Sequence, residues 1–586
     1  MERTIAGHKP ANWGAGIVAA AMHAPRRVLA CLLGVHLVVW TVLPILVCPN
    51  LQIDLVEGLA LGKEWQLGYW KHPPLPWWID EITYRLTGQI DSVYVLGPLA
   101  SIICLYGVWL LAREVVDEIT ALIAVVVLEG IHFYNFSAVK FAHDQIQLPF
   151  WAFTGLFFYH AVKYGRLLNW VLSGIFLAGA FWSKYAAFVL AATLGLFLLF
   201  DPLGRKRWRT AGPYLMTTVF VLVLAPNLWW LVGHDFLPFR YVDQRAPEVA
   251  HWYQYFTFPV VWIANNIFTL SPAIALLAIL FWGKPFPIPL NLLHRARCSL
   301  DFILRRRAFW RAVSKDEATG RVPPSWFETR TQRARAPHHE GEVGPAPRDG
   351  EVAAFNRRYV TALALGPFLL TTAIAIGLGR SPQAMWAYPL WSFAPLAALM
   401  WLRPAANFGE LRAFAVASVA VLLAFPVAYA VTELFESFIH DRPKATEFPG
   451  RLLAGIITQK WHETTGEPLV YVGGAEFGTG AGGEFPANLV AVYSADHPHV
   501  IVHGDSDLSP WIDVADVRRR GAVLIWDWGW SAGIPENLKS VFPDAELQPG
   551  LMLPRQTLYP RSPALVKYAF VRPRVLALRS PSNAPQ

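Results

Sequence analysis

The sequence predicts a polytopic α-helical membrane protein that ends in a soluble α/β segment. Three observations predict it. Charged side chains make up only 16% of the 586 residues, against about 25% in an ordinary soluble chain. Apolar runs of roughly 18–25 residues recur between positions 28 and 433, each long enough to cross a ~30 Å hydrocarbon core as a helix. The cations gather in alternate loops between these runs. A cytosolic globular enzyme and a disordered chain are thereby excluded, and the mean hydropathy of +0.34 agrees.

Eleven spans are expected, at about 28–48, 92–111, 118–137, 146–163, 168–183, 185–200, 212–232, 258–282, 359–379, 386–402 and 412–433. Only Ser183 and Lys184 separate the fifth from the sixth, which makes a tight helical hairpin. Residues 1–26 lack a clean cleavage pattern, so the first span is expected to stay as an anchor. With alternating helices, Arg26, Arg27, Arg113, Lys163, Arg166, Arg205, Lys206, Arg207, Arg209, Arg403 and Arg412 fall on one side. Positive charge marks the cytoplasm. The expected organisation is a cytoplasmic N-terminus (1–27), a membrane domain (28–433) and a periplasmic α/β domain (435–586).

Residues 284–358 join the cytoplasmic side with 15 Lys/Arg against 8 Asp/Glu, a balance of +7. Nucleic-acid binding would explain such a patch, but the charge rule for cytoplasmic loops explains it more simply. Rich in Arg, Pro and Gly, the segment reads as a mostly flexible insertion. In the tail, PLVYVGG, NLVAVYS, HVIVHG and GAVLIWDWG are β-branched runs bounded by turn residues, the pattern of strands alternating with helices. GGAEFGTGAGGEF has no Gly-Lys-Ser/Thr ending, so a plain loop is favoured over a phosphate cradle. Trp511 reads as a core residue or a sugar-stacking surface. Cys31, Cys48, Cys104 and Cys298 have neither disulfide nor zinc spacing.

The first outer loop concentrates the chemistry. It carries Ile53-Asp54-Leu55-Val56-Glu57-Gly58, then Gly68-Tyr69-Trp70-Lys71-His72-Pro73-Pro74-Leu75. On a helix, Asp54 and Glu57 share a face, and an acid beside hydrocarbon is a functional candidate. The competing reading is a solvated interfacial acid. Two prolines fix a rigid corner after His72, while Tyr69, Trp70, Trp77 and Trp78 suit an interfacial belt.

An Asp just after the first span, a Gly-Tyr-x-x-His-Pro-Pro-Leu stretch and an Asp before the fourth span together resemble a family of membrane enzymes. These are the GT-C integral-membrane glycosyltransferases of the protein O-mannosyltransferase and lipid A aminoarabinose or galacturonic acid transferase type. The resemblance covers about residues 28–285 and, more loosely, 359–433. It implies a helical bundle with an outward-facing site, a sugar donor on a polyprenyl phosphate and an envelope acceptor (lipid A, another glycolipid, a polysaccharide or a protein). It further implies that Asp54 is catalytic, that Asp144 in Phe141-Ala142-His143-Asp144-Gln145 is the second acid, and that His72 is the motif's basic residue. Family members often carry an acid where this chain has Lys71. Glu57 either replaces that acid or is solvated, and a divalent metal, with Glu57, His72 and His143 as candidate ligands, is left open.

The residue types suit the reaction. A lipid phosphate leaves as a stable anion, so the transfer needs a base for the acceptor hydroxyl and cations for the phosphate. Asp54 is the expected base, and direct displacement inverts the anomeric carbon. Asp144 is expected to orient the substrate or to serve as an alternative base. Lys184, then Arg240 and Arg380, are the expected phosphate partners, with snorkelling to headgroups as the alternative. Lys71 and Tyr241 complete the candidate binding set. The rival from another class is a transporter or flippase of lipid-linked sugars. It would place ionisable groups near mid-membrane and often show internal repeats, whereas here the charges sit in outer loops and no repeat is evident. A third reading, a non-catalytic assembly protein on the same scaffold, is disfavoured by intact Asp54 and Asp144.

Overall fold

The computed structural model describes residues 13–246, 248–281, 349–404, 406–440, 443–475, 484–527 and 531–574. Met1–Leu280 and Phe355–Gln586 form one compact unit, and Phe281–Ala354 another. Most of the predicted basic loop, together with the glycine-rich stretch at 476–483, lies outside the described residues.

The described residues up to 440 are mostly helical. Helices α1 (Trp13–His23), α2 (Pro25–Val47), α3 (Ile53–Gly62) and α4 (Leu75–Thr87) precede α5 (Leu96–Arg113), α6 (Glu118–Leu128) and α7 (His143–Tyr164). Next come α8 (Leu167–Ser183), α9 (Phe188–Phe200), α10 (Pro202–Arg207), α11 (Gly212–Gly233), α12 (Leu237–Arg245) and α13 (Gln254–Ile279). Beyond the described gap stand α14 (Asp349–Leu378), α15 (Ala394–Leu402) and α16 (Phe408–His440). All eleven expected runs fall on helix, but not all are unbroken. Among the described residues six helices are long and apolar enough to cross a membrane: Pro25–Val47, Ile90–Arg113, Gly212–Gly233, Gln254–Ile279, Gly350–Leu378 and Phe408–His440. The expected span at 118–137 stops at Leu128, and that at 386–402 divides into a 3₁₀ segment (Ala384–Trp391) and the nine-residue α15. The loop expected at 284–358 also ends sooner than expected, because helix α14 already starts at Asp349.

α7 is the hub of the bundle, packed on α5 and α8, with α8 packed in turn on α11. The two ends of the bundle differ in their partners. At one end Arg26 and Arg113 both reach Glu118, Lys163 and His160 reach Glu114, and Arg358 reaches Asp201. Arg26, Arg113, Lys163 and Arg358 are among the cations that the sequence places on one side.

At the other end lie α3 and α4, short helices packed face to face. Gly62 makes their approach possible, since a Cβ there would stand 2.2 Å from the Trp77 carbonyl oxygen. A backbone oxygen cannot swing aside, so Gly62→Ala is expected to destabilise by about 1–3 kcal/mol through overpacking, read as a lowered melting temperature in detergent.

The tail forms a six-stranded sheet in the order β2-β1-β3-β6-β4, with β5 also on β6. Its strands are β1 (Tyr471–Gly474), β2 (His499–Ile501), β3 (Ala522–Asp527), β4 (Glu546–Leu547), β5 (Leu551–Leu553) and β6 (Ala564–Val571). β1 pairs in parallel with β2 and β3, while β6 runs antiparallel to β3. Helices α17 (Gly450–Thr465), α18 (Phe485–Tyr493), α19 (Val514–Arg520) and α20 (Glu536–Val541) accompany it. NLVAVYS, expected as a strand, is helix α18. Pro486 stands in its first turn, and residues Phe485 to Val492 are all buried. A helix enclosed between α3, α17 and the sheet has no polar face, so its sequence carries no helical period and its β-branched residues imitate a strand.

α18 and β2 both contact α3, which joins sheet and bundle in one core containing Leu55, Trp77, Leu453 and Val500. Lys63, at the end of α3, donates to the carbonyls of His497 at 3.0 Å and Pro498 at 2.6 Å. Burial pulls its ammonium down from 10.5 to about 8, although Glu64 and Glu81 resist the shift. Between those values the unfolded chain holds the proton and the folded chain does not, so rising pH favours the fold. Wild type is therefore expected to gain melting temperature relative to Lys63→Met as pH rises from about 8 towards 10.5.

Candidate active site

α3 starts at a corner held from three directions. The Asn50 side chain accepts the Leu51 amide at 2.9 Å, and Gln52 Nε2 donates to the Tyr429 hydroxyl at 3.2 Å and to Glu433 at 3.3 Å on α16. This fixes the first turn, where Asp54 stands, with Glu57 at the start of the next. The second half of the motif is a tight turn, with the Tyr69 amide on the His72 carbonyl at 3.1 Å and the Tyr69 hydroxyl on Leu61 O at 2.9 Å. Pro73 and Pro74 then lead into α4.

The turn delivers Lys71 onto Glu57, with Nζ 2.5 Å from Oε1 and 2.7 Å from Oε2. Trp70, Trp77 and Tyr241 offer ring faces to the same ammonium at 5.4, 6.0 and 5.9 Å. Burial raises the Glu57 carboxyl; Lys71 opposes this only in part, and Glu484 and Asp54 add to it. For Lys71 burial works against the charge, yet Glu57, followed by Tyr241, outweighs it and the ammonium is held above its ordinary value.

His72 lies against His143 with ring centroids 4.0 Å apart and planes tilted by 38°, and meets Tyr241 edge-on at 5.5 Å. His143 Nε2 donates to the Pro73 carbonyl at 3.1 Å, tying the motif to the first turn of α7. There Asp144 accepts from Lys184 Nζ at 2.7 Å, the two side chains only 13% and 11% exposed. Lys184 reaches it because α8 ends at Ser183 and the next residue is extended. Tyr388, in the 3₁₀ segment before α15, lies close enough to Asp144 and Asp54 to feel the charge of both.

Asp54, Glu57, Lys71, His72, His143, Asp144, Lys184 and Tyr241 thus gather at one end of the bundle. Arg240 and Arg380 join less closely. Arg240 is exposed on α12, and Arg380 binds Glu248 at 2.7 Å and the Ala246 carbonyl at 2.9 Å. Trp511 is a packing residue, its indole donating to the Val500 carbonyl at 3.1 Å. Among the described residues no three His, Cys, Asp or Glu side chains are arranged to hold a metal ion. The candidates Glu57, His72 and His143 make ion-pair and ring contacts instead.

Three further residues enter the site unannounced by the motif. Glu484 and His503 come from the tail, 3.1 Å apart and buried, with the His503 ring 4.9 Å from Trp70. Asp80 of α4 is wholly buried. Its carboxyl is raised well above the usual range by burial, then by the charges of Asp54 and Glu81. One signal pointed to it, since Asp80 shares a helical face with the apolar Trp77.

With this geometry in place, the comparisons with known proteins are decisive for the fold. A crystal structure of ArnT from Cupriavidus metallidurans bound to undecaprenyl phosphate matches with a TM-score of 0.53 at 14% identity, over 94% of this chain and 99% of that one. The fold is that of a GT-C glycosyltransferase. The apo form of the same GT-C protein matches equally, with a TM-score of 0.53, 12% identity and coverage of 92% and 97%. Residues 71–230 match the family described as dolichyl-phosphate-mannose-protein mannosyltransferase. Over 206 residues the chain is 26% identical to the lipid A galacturonosyltransferase RgtD of Rhizobium johnstonii, covering 34% of this chain. That match spans 41% of the relative's length. The resemblance read from the first-loop motif is thus a resemblance to GT-C glycosyltransferases, and the matched relatives are transferases rather than transporters.

Proposed function

We propose that this protein transfers a sugar from a polyprenyl-phosphate donor to an acceptor in the bacterial cell envelope, at the periplasmic face of the inner membrane, through an eleven-span membrane domain. The observation that carries the reading is the convergence of Asp54, the Glu57–Lys71 pair and the Asp144–Lys184 pair at one end of a GT-C bundle. Two lysines beside carboxylates suit an anionic leaving group that must be bound and then released. The end opposite the site carries the clustered cations, which supports a cytoplasmic assignment for it and a periplasmic one for the site.

In the step itself the acceptor oxygen attacks the anomeric carbon while the bond from that carbon to the phosphate oxygen breaks. Asp54 takes the hydroxyl proton, and the lipid phosphate departs with the electron pair towards Lys184 and Lys71. His72, Tyr241 and Arg240 bound the donor, and Asp144, by holding Lys184, sets where the phosphate rests. Attack opposite the leaving group inverts the anomeric centre. The likeness to RgtD favours lipid A or a related glycolipid as acceptor over a protein.

The test uses right-side-out and inverted membrane vesicles given radiolabelled polyprenyl-phosphate sugars with envelope lipids and proteins. Label is expected in an acceptor, and only when donor and acceptor meet on the outer face. Label crossing the bilayer still attached to its lipid would instead establish a flippase.

A further inference from the structure

Among the described residues Asp80 is a carboxyl group near the site whose surroundings provide nothing for a charge. It is 0% exposed, and among the described residues neither of its oxygens has a hydrogen-bond partner. The space it occupies exists because residue 58 is glycine. A Cβ on Gly58 would stand 2.1 Å from Asp80 Oδ2 and 3.0 Å from its Cγ. Gly58 lies four residues after Asp54 on α3, hence on the same face one turn along. Asp80 therefore rests against the part of α3 that carries Asp54, and after burial the charge of Asp54 is the strongest influence on it.

The remaining charged neighbours leave Asp80 uncompensated. On its own helix Glu81 is taken by Arg85 at 2.6 Å. From α3, Glu57 is taken by Lys71, while Lys63 donates to the 497–498 carbonyls. α7 and α8, packed on α4, bring Asp144 and Lys184, already paired, together with His143, which bonds Pro73. The 3₁₀ turn Ile90–Val95 brings Asp91, which faces Arg451 at 3.6 Å. Among the described residues no cation pairs with Asp80.

We propose that Asp80 is a positioning residue for Asp54: it keeps its own proton at neutral pH, so that of the two carboxyl groups beside Gly58 only Asp54 is charged and able to accept one. Two carboxyl groups whose surroundings drive them apart divide the acid and base roles between them. The assignment rests on the reading of Asp54 as the base, and concerns how that base is kept ionised.

The experiment is infrared difference spectroscopy of the purified full-length protein, titrated from neutral to alkaline pH, with wild type, Asp80→Asn and Asp54→Asn. A protonated-carboxyl stretch is expected at neutral pH in wild type and Asp54→Asn and is expected to be missing from Asp80→Asn. In Asp54→Asn the band should vanish at a lower pH than in wild type, because the opposing charge is gone. That shift reads Asp80 in its native form, so it holds even should Asp80→Asn fail to fold. A neutral-pH spectrum of Asp80→Asn identical to wild type, or a band indifferent to Asp54→Asn, would overturn the proposal. Sugar transfer measured on the same Asp54→Asn protein separates the two readings. If transfer survives while the band shifts as expected, Asp54 is not the base but the coupling to Asp80 stands.

Discussion

Asp54→Asn is expected to lower sugar transfer by about 10²–10⁴-fold, the usual contribution of a positioned general base, with protein level and detergent melting unchanged. Asparagine keeps the shape of the side chain and removes its capacity to take a proton. The size of the loss also reports the acceptor. A hydroxyl must surrender its proton during attack, so its transfer should collapse. A phosphate acceptor is already an ionised nucleophile, and with it the same substitution should cost far less. Initial rates measured with each acceptor class at saturating donor distinguish the cases. If Asp144→Asn were the variant that lost transfer while Asp54→Asn kept it, the two acids would exchange roles.

Breaking the buried Glu57–Lys71 pair has the second large expected effect. Lys71→Met leaves Glu57, whose side chain is only 14% exposed, with its partner gone, and an uncompensated buried charge costs about 3–5 kcal/mol. Replacing both residues removes the charge along with the partner. The double variant Glu57→Leu/Lys71→Met is therefore expected to melt above Lys71→Met alone while remaining inactive. Melting curves of the three proteins in one detergent check the order. Equal melting of Lys71→Met and wild type would show that water reaches the pair.

Much of this was legible in the residues, for reasons that differ from place to place. Long apolar runs can form only helix in hydrocarbon, so α2, α11 and α16 were expected close to where they stand. The corner at Lys71 and His72 was legible because prolines restrict the chain locally, whatever surrounds it. The partners of these residues were not legible. Lys184 on Asp144 and Lys71 on Glu57 meet across 40 and 14 positions respectively, through packing of helices that no local period describes. α18 was misread for the opposite reason, its enclosure on every side erasing the polar face that marks a helix. Asp80 was passed over because an Asp-Glu pair reads as solvated surface until the glycine opposite it is seen.

The tail beyond residue 440 was expected to be a domain in its own right, yet it sends Glu484 and His503 to the wall behind Trp70 and is held by Lys63 and by a second contact, His499 to Glu64 at 2.9 Å. It is therefore no interchangeable part. A chimaera that grafts the tail of a relative onto this bundle would replace the residues packed behind Trp70, and would have to inherit the matching first loop with it. Recombination with a relative is thus expected to succeed only for crossovers that keep residues 53–80 and 484–503 in the same parent.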